Sequence, residues 1–87
     1  MTRPMTRAEV IEFSRRIWDQ LREDEWTTAR KAFESAYPFE RWDSRSRSRA
    51  FSALNLGAAV GVVECREVPC GMRTYVRWRK ARWPRWT

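Results

Sequence analysis

The stretch SRSRSRAFSALNLGAAVGVVECREVPCGMRTYVRW, residues 44–78, decides the predicted fold of this chain. It begins with a basic segment, Ser44–Leu56, whose apolar residues recur at helical spacing. Gly57 is predicted to end this helix by turning left-handed. Two strands, Val60–Arg66 and Met72–Trp78, are predicted next, because the first is apolar and the second alternates apolar and polar residues. The stretch therefore predicts a basic helix that leads directly into a two-stranded ribbon.

The turn of the ribbon is predicted at Val68-Pro69-Cys70-Gly71, which has proline and glycine at favourable turn positions. Pairing Val68 with Gly71 sets Val63 opposite Val76 and Cys65 opposite Thr74. This register is self-consistent, because it gathers the apolar residues of both strands on one face. The other face is then predicted to carry four arginines, Arg66, Arg73, Arg77 and Arg79.

Two more helices are predicted before this stretch. Thr6-Arg7-Ala8-Glu9 fits a capping box at the start of the first helix. The second helix is predicted to open at Trp26-Thr27-Thr28 and to end before Pro38. Phe39 and Trp42 are expected to hold the following connector against the core. The apolar stripe of the first helix is predicted to be Val10, Ile11, Ser14, Ile17, Trp18 and Leu21, with Phe13 outside it.

The positive charge of the chain is concentrated in its second half. Residues 1–40 carry 7 basic and 8 acidic side chains, whereas residues 41–87 carry 11 basic and 3 acidic ones. The formal net charge is +7, and 16 of the 18 cations are arginine, which binds phosphate as a planar fork. A GC-rich genome also favours arginine over lysine, but that bias does not explain the asymmetry. The second half is therefore expected to attract phosphate or an acidic partner.

The composition favours a small protein without catalytic groups. With 87 residues, the chain has room for one domain. It has no histidine and no recognisable catalytic group, so we expect no enzyme activity, no cofactor and no metal. Cys65 and Cys70 are expected to be free thiols, although a shifted register with a longer loop pairs them. No secretion signal or membrane-spanning run is visible, which predicts a cytoplasmic protein with no membrane contact.

The order of three helices and a two-stranded wing resembles the winged helix-turn-helix superfamily. The resemblance rests on the helices Thr27–Tyr37 and Ser44–Leu56, the stop Leu54-x-Leu56-Gly57, and the ribbon Val60–Arg66/Met72–Trp78. It covers residues 6–80 and is a match of topology without a diagnostic motif. It implies an α+β fold with three helices and a C-terminal hairpin wing. A flexible arm, residues 1–5, and a basic Trp-rich tail, residues 81–87, are predicted to flank this domain.

The resemblance implies that helix 44–56 lies in the major groove of double-stranded DNA and that the wing contacts phosphates. Arg45 and Arg49 are four residues apart, so they share a helix face, and either one fits the O6 and N7 atoms of guanine. The alternative is that the alternation of serine and arginine is a solvated helix start without a ligand. The implied nucleic-acid-binding residues are Arg45, Ser46, Ser48, Arg49, Ser52, Arg66, Arg73, Arg77 and Arg79.

Two functions follow from these features. The first is a small DNA-binding protein, such as a transcriptional regulator of a phage or mobile element. The second is an inhibitor or adaptor of the phage host-takeover or anti-defence type, whose basic face occupies an acidic protein surface. Exposed aromatic residues beside the cations favour this second function. Trp83 and Trp86 are expected to pack on the first helix, to stack on unpaired bases or to meet a membrane. A homodimer is compatible with either function.

Overall fold

The computed structural model describes residues 4–82. Met1–Arg3 and Trp83–Thr87 lie outside the described part, together with the predictions made for the tail tryptophans. The described elements are, in chain order, α1 (Arg7–Asp19), α2 (Ala29–Ala36), α3 (Ser44–Val60), β1 (Val63–Cys70) and β2 (Arg73–Lys80). The strands pair as an antiparallel hairpin. The predicted α+β arrangement of three helices and a C-terminal hairpin is confirmed, and it is compatible with a winged helix.

α1 begins as the sequence predicts. The Thr6 hydroxyl accepts a hydrogen bond from the Glu9 backbone N–H at 3.2 Å. The Glu9 carboxylate in turn accepts a hydrogen bond from the Thr6 backbone N–H at 3.4 Å. These two hydrogen bonds confirm the capping box, which satisfies N–H groups that have no partner inside the helix.

The buried face of α1 is rotated relative to the predicted stripe. Ile17 is fully buried, but Val10 and Ile11 are 39% and 47% exposed, so this part of the prediction is wrong. Phe13, which the stripe leaves out, stacks on Tyr37 at the end of α2 with 5.3 Å between ring centroids. The rotation arises because α1 packs against α2 as well as α3, so its buried face includes the side that reaches α2.

α2 begins three residues later than predicted. Its N-cap is Thr28, whose hydroxyl accepts a hydrogen bond from the Lys31 backbone N–H at 3.1 Å. Thr27 exchanges two backbone hydrogen bonds with Trp78 of β2, at 2.8 and 2.9 Å. The predicted start at Trp26 is wrong because this short bridge holds the backbone extended before the helix.

α3 runs through Gly57 and ends at Val60, four residues beyond its predicted end at Leu56. Gly61 takes the left-handed conformation at φ 86°, and the Val62 backbone N–H donates to the Gly57 carbonyl at 2.9 Å. The predicted stop at Gly57, and with it the predicted strand start at Val60, is wrong. Gly57 is buried inside the helix, where the Trp18 indole lies against it.

The hairpin turn lies later than predicted. β1 and β2 are joined by Gly71-Met72 alone, and Gly71 has φ 63°, as the first central residue of a type II′ turn requires. The predicted turn at residues 68–71 is therefore wrong. Pro69 lies within β1, which has no strand on its other side among the described residues, so its missing N–H is tolerated.

The register of the hairpin differs from the prediction by four residues along β2. Val63 lies opposite Lys80, and Cys65 lies opposite Trp78 rather than Thr74. Because the difference is even, each side chain stays on its predicted face. The outer face therefore carries the four predicted arginines, Arg66, Arg73, Arg77 and Arg79.

The connector between α2 and α3 is anchored by one of its two predicted aromatic residues. Trp42 packs on Phe33 with ring centroids 5.5 Å apart. Phe39 is fully exposed, so its predicted place in the core is wrong. The Glu40 backbone N–H donates to the Tyr37 carbonyl at 3.1 Å, and the turn that this hydrogen bond closes leaves Phe39 in solvent.

The hairpin is attached to the helices at one end and projects at the other. Trp78 is 1% exposed, and its ring meets Phe51 of α3 edge-on at 6.3 Å. Next to it, the Lys80 backbone N–H donates to the Arg22 carbonyl at 3.0 Å. Residues 65–75 are all exposed. The described core is Ile17, Leu21, Ala29, Ala32, Phe33, Ala50, Ala53, Leu54, Val63 and Trp78.

Candidate nucleic-acid interface

The N-terminal half of α3 presents part of the predicted site to solvent. Arg45, Ser48 and Ser52 are exposed. The core face of the same helix contains Ala50, Ala53, Leu54 and Gly57. Since residues 45, 48 and 52 lie on the side away from that core face, a large flat ligand such as a DNA duplex has access to them.

Ser46 is held by the connector rather than presented to solvent. Its hydroxyl donates to the Arg41 carbonyl at 2.6 Å, and its backbone N–H donates to the Asp43 carboxylate at 2.9 Å. The backbone hydrogen bond from Ser46 holds the pKa of the Asp43 carboxyl below its ordinary value. Asp43 is therefore the N-cap of α3, and the Ser46 hydroxyl proton is not available to a phosphate.

Arg49 does not share the exposure of Arg45. It is half-buried and lines a groove between α1 and α3 with a volume of about 190 Å³. Arg49 is therefore less exposed than Arg45, because α1 lies along that flank of α3. Arg47 is exposed, with its guanidinium carbon 5.7 Å from the centroid of the Phe51 ring.

Two arginines of the outer hairpin face converge on Trp26. The guanidinium carbons of Arg66 and Arg79 lie 4.4 and 4.3 Å from the centre of the indole, within the range of a cation–π interaction. The Arg79 Nε also donates to the Glu64 carboxylate at 2.6 Å. Sequence reasoning did not identify Trp26, because its position depends on the pairing of Thr27 with β2. The signal available in the sequence is a tryptophan followed by two β-branched threonines, Trp26-Thr27-Thr28, which favour an extended backbone.

The two remaining hairpin arginines lie nearer the tip. Arg73 is exposed and is the first residue after the Gly71-Met72 turn. Arg77 is half-buried, stacks over Tyr75 at 5.5 Å and donates to the Val76 carbonyl at 3.0 Å. Arg73 is therefore accessible to a ligand, whereas Arg77 is partly held in place.

The helix cations and the outer-face cations lie on different sides of the hairpin. Trp78 packs towards α3 through Phe51, and side chains along a strand alternate between faces. Arg77 and Arg79, the neighbours of Trp78, therefore point away from α3. The structure groups Arg45, Ser48 and Ser52 on α3, and Arg66 and Arg79 on Trp26, without bringing the two groups together.

The ion pairs divide the described chain into two electrostatic parts. In residues 4–40, three of the six cations pair with carboxylates, as Arg16–Glu12, Arg22–Asp24 and Arg30–Glu34, and Arg7, Arg15 and Lys31 have no carboxylate partner among the described residues. Between residues 41 and 82, Arg79 pairs with Glu64. The cations of that second part with no carboxylate partner among the described residues are Arg41, Arg45, Arg47, Arg49, Arg66, Arg73, Arg77, Lys80 and Arg82.

Other chemical groups are few in the described residues. No cluster of three or more His, Cys, Asp or Glu side chains suited to a metal ion occurs in residues 4–82. None of the described helices has the length and apolar character needed to cross a bilayer. Cys65 and Cys70 are free thiols, and burial, with the nearby Glu67 carboxylate, raises the pKa of Cys65. Comparisons of the chain with protein-family models, curated proteins and solved structures each found no match.

Proposed function

We propose that this protein binds double-stranded DNA in the manner of a winged helix-turn-helix domain. In this proposal the exposed side of α3 enters the major groove, and the projecting half of the hairpin lies along the phosphate backbone. The observation that carries the proposal is the number of cations without a carboxylate partner among the described residues, which is nine from residue 41 to residue 82 and three, Arg7, Arg15 and Lys31, from residue 4 to residue 40. Unpaired guanidinium groups on an accessible surface are the groups that replace counterions on DNA.

Within α3, Arg45 is the residue that we propose for a base contact. It is exposed near the helix start, and its guanidinium has the fork geometry that fits the O6 and N7 atoms of guanine. Ser48 and Ser52 follow on the same exposed side, and their short side chains allow the helix to approach the groove closely. Arg49 is not included in this base contact, because it is half-buried against α1.

Within the hairpin, the proposed phosphate contacts are Arg73 and Arg77. Arg73 begins β2 within the exposed stretch of residues 65–75, and Arg77 follows four residues later, near the middle of the strand. Arg66 and Arg79 lie on the same outer face as Arg73 and Arg77, but their guanidinium groups are engaged with Trp26. We assign to them a contribution to the positive field that draws DNA towards the protein, which acts over about one Debye length.

The test is a comparison of three single variants in fluorescence anisotropy titrations of a labelled duplex. Arg45→Ala is expected to lower the affinity for a selected site by about 1–3 kcal/mol and to relax base preference. Arg73→Ala is expected to weaken all sequences alike. Arg22→Ala is the control, since it removes the same charge from a paired, 69% exposed side chain outside the proposed surface. Equal losses in all three variants would show that charge alone, and not this surface, determines binding.

A second candidate function is an inhibitor or adaptor that binds an acidic protein surface. One observation favours it: apolar side chains are exposed on the hairpin beside the cations. Tyr75 is 41% exposed and lies opposite Val68, which is 36% exposed, and Met72 at the tip is fully exposed. An aromatic and aliphatic surface next to arginine is typical of protein interfaces. Absence of DNA binding at low salt would make this second function the stronger one.

A further inference from the structure

Four large aliphatic side chains are exposed along the seam between α1 and α3. Val10 and Ile11 of α1 are 39% and 47% exposed, and Leu56 and Val60 of α3 are 39% and 41% exposed. Val10 and Leu56 line the same groove. Val60 lies one helical turn beyond Leu56 and therefore on the same side of α3. We call these four residues the seam strip.

Ile11 belongs to the strip because of its position on α1. It lies seven residues before Trp18, so the two side chains share a helix face. Trp18 packs on α3, where its indole N–H donates to the Ala53 carbonyl at 2.9 Å. The face of α1 that carries Ile11 is therefore the face that meets α3. An apolar surface with this continuity marks a contact site more often than scattered exposed side chains do.

The groove beneath the strip contains an unsatisfied polar group. Ser14 is 1% exposed and lines the groove, and its hydroxyl has no hydrogen-bond partner in the structure. Buried hydroxyl groups almost always have a partner, because leaving one without a hydrogen bond costs about 1–3 kcal/mol. The Ser14 side chain is thus a buried polar group in the wall of the groove, with its oxygen shielded from direct contact with an entering side chain.

Positive charge flanks the strip. Arg49 lies seven residues before Leu56, on the same side of α3, and its half-buried side chain lines the groove. Arg15 lies one turn after Ile11 on α1 and is exposed. Neither has an ion-pair partner within residues 4–82. The surface therefore combines an aliphatic centre with two cations, of which Arg49 lines the groove itself and Arg15 lies at its edge, near Asp19 and Glu23.

We propose that the seam strip binds an acidic amphipathic segment of a partner protein. An aliphatic or aromatic anchor residue of this segment fills the groove, and neighbouring Asp or Glu side chains pair with Arg49 and Arg15. The groove volume of about 190 Å³ is suited to one anchor side chain. It is smaller than the roughly 300–1,000 Å³ of typical small-molecule sites.

Charge complementarity argues against a second copy of this chain as the occupant. A two-fold contact through the strip brings the same cations of both copies close together in a protein whose net charge is already +7. The strip is also a poor surface for DNA, since its centre is aliphatic. The proposal uses none of the cations assigned to DNA, Arg45, Arg73 and Arg77, but the groove borders the proposed DNA-facing side of α3, since Ser48 and Ser52 also line it.

The test is a selection of random twelve-residue peptides displayed on phage against the immobilised full-length protein. The expected result is enrichment of peptides in which one apolar residue lies near Asp or Glu. An enriched peptide is then labelled and titrated with variants in anisotropy measurements. Leu56→Ser is expected to weaken binding about tenfold, since a leucine contact is removed. Arg49→Gln is expected to weaken it several-fold, whereas Arg45→Gln, the matched change on the same helix, leaves it unchanged.

Three results would overturn the proposal. The first is a selection that enriches no acidic–apolar motif over the starting library. The second is an enriched peptide that binds Leu56→Ser and Arg49→Gln as tightly as the wild type, or that depends on Arg45 instead. The third is concentration-dependent self-association that Leu56→Ser abolishes, which assigns the strip to a second copy. Ile11→Ser, at a 47% exposed position, replaces Leu56→Ser if that variant does not melt cooperatively. Titrating DNA with the same variants shows whether a loss of peptide binding is independent of DNA binding, so that failure of this proposal can be told apart from failure of the DNA function.

Discussion

Gly57 lies where α3, the Trp18 indole and Val63 come closest together. A Cβ atom at this position meets Trp18 Nε1 and Val63 Cγ2, each at 2.5 Å. The indole has little freedom to move away, because its N–H donates to the Ala53 carbonyl at 2.9 Å. A glycine in this helix is therefore required by packing. Sequence reasoning interprets such a residue as a helix end, since the close approach of Trp18 exists only after folding.

Gly57→Ala is expected to destabilise the protein despite a better helix propensity. Alanine gains about 1 kcal/mol over glycine inside a helix. Forcing a methyl group into a packed site costs about 1–3 kcal/mol. Because the indole is held in place, we expect the cost at Gly57 to lie at the upper end of that range. Asn55→Ala, at an exposed position of the same helix, is the control for propensity alone. Thermal melting of both variants checks this, and a Gly57→Ala variant as stable as Asn55→Ala would contradict the packing argument.

Asp43 gives a pH-dependent contribution to the start of α3. The backbone hydrogen bond from Ser46 lowers the pKa of this carboxyl, so folding is favoured by the ionised form. Its stabilisation is present above the ordinary pKa of aspartate and is lost as the pH falls through the lowered pKa of the folded state. Asp43→Ala is therefore expected to melt below the wild type at neutral pH, with a gap that narrows in strong acid. Asp43→Asn, which keeps an N-cap without charge, should melt closer to the wild type at neutral pH, and its gap should shift with pH in parallel with that of Asp43→Ala, because Asp43 titrates only in the wild type. A constant gap for Asp43→Ala would contradict the assignment.

The elements differ in how far the sequence predicts them. The capping box of α1 and the existence of three helices and a hairpin follow from local patterns, because caps and periodicity involve neighbours in sequence. The hairpin register does not follow from local patterns, because two turns are acceptable, Val68-Pro69-Cys70-Gly71 and Gly71-Met72. The two turns give registers that differ by an even number of residues. The outer-face arginines were predictable because alternation survives an even shift. The cluster at Trp26 was not, because it depends on a bridge between distant residues.

The observed register makes a prediction about the two thiols. Cys65 and Cys70 lie five residues apart on one strand, on opposite faces, and a strand rises about 3.3 Å per residue. Their Cα atoms are therefore much further apart than the roughly 4.4–6.8 Å of a disulfide. Mild oxidation of the monomer should form no intramolecular bond, as judged by intact mass after alkylation. A product lighter by two hydrogens, formed without loss of the hairpin, would contradict this register.

At the scale of the whole molecule, both the sequence and the fold determine where the positive charge lies. The excess of cations after residue 40 is visible in the sequence alone. Their division is not, because it depends on which face of the hairpin packs on α3. Phe51 and Trp78 set that face, so Arg45 and Arg79 lie on different sides of the hairpin. Half-burial of Arg49 was equally unpredictable, since the path of α1 over α3 is a tertiary property.

The measurement that tests the central proposal most directly is the salt dependence of binding to a labelled random-sequence duplex, followed by anisotropy at roughly 50 and roughly 200 mM salt. If about 4–6 phosphates are neutralised, log K falls against log salt with a slope near −0.9 for each. Arg73→Ala should reduce that slope by about 1, whereas Arg22→Ala should leave it unchanged. Binding in the micromolar range with this steep slope is the predicted result. No binding at the lower salt concentration would contradict the proposal and leave the acidic protein surface as the partner of these cations.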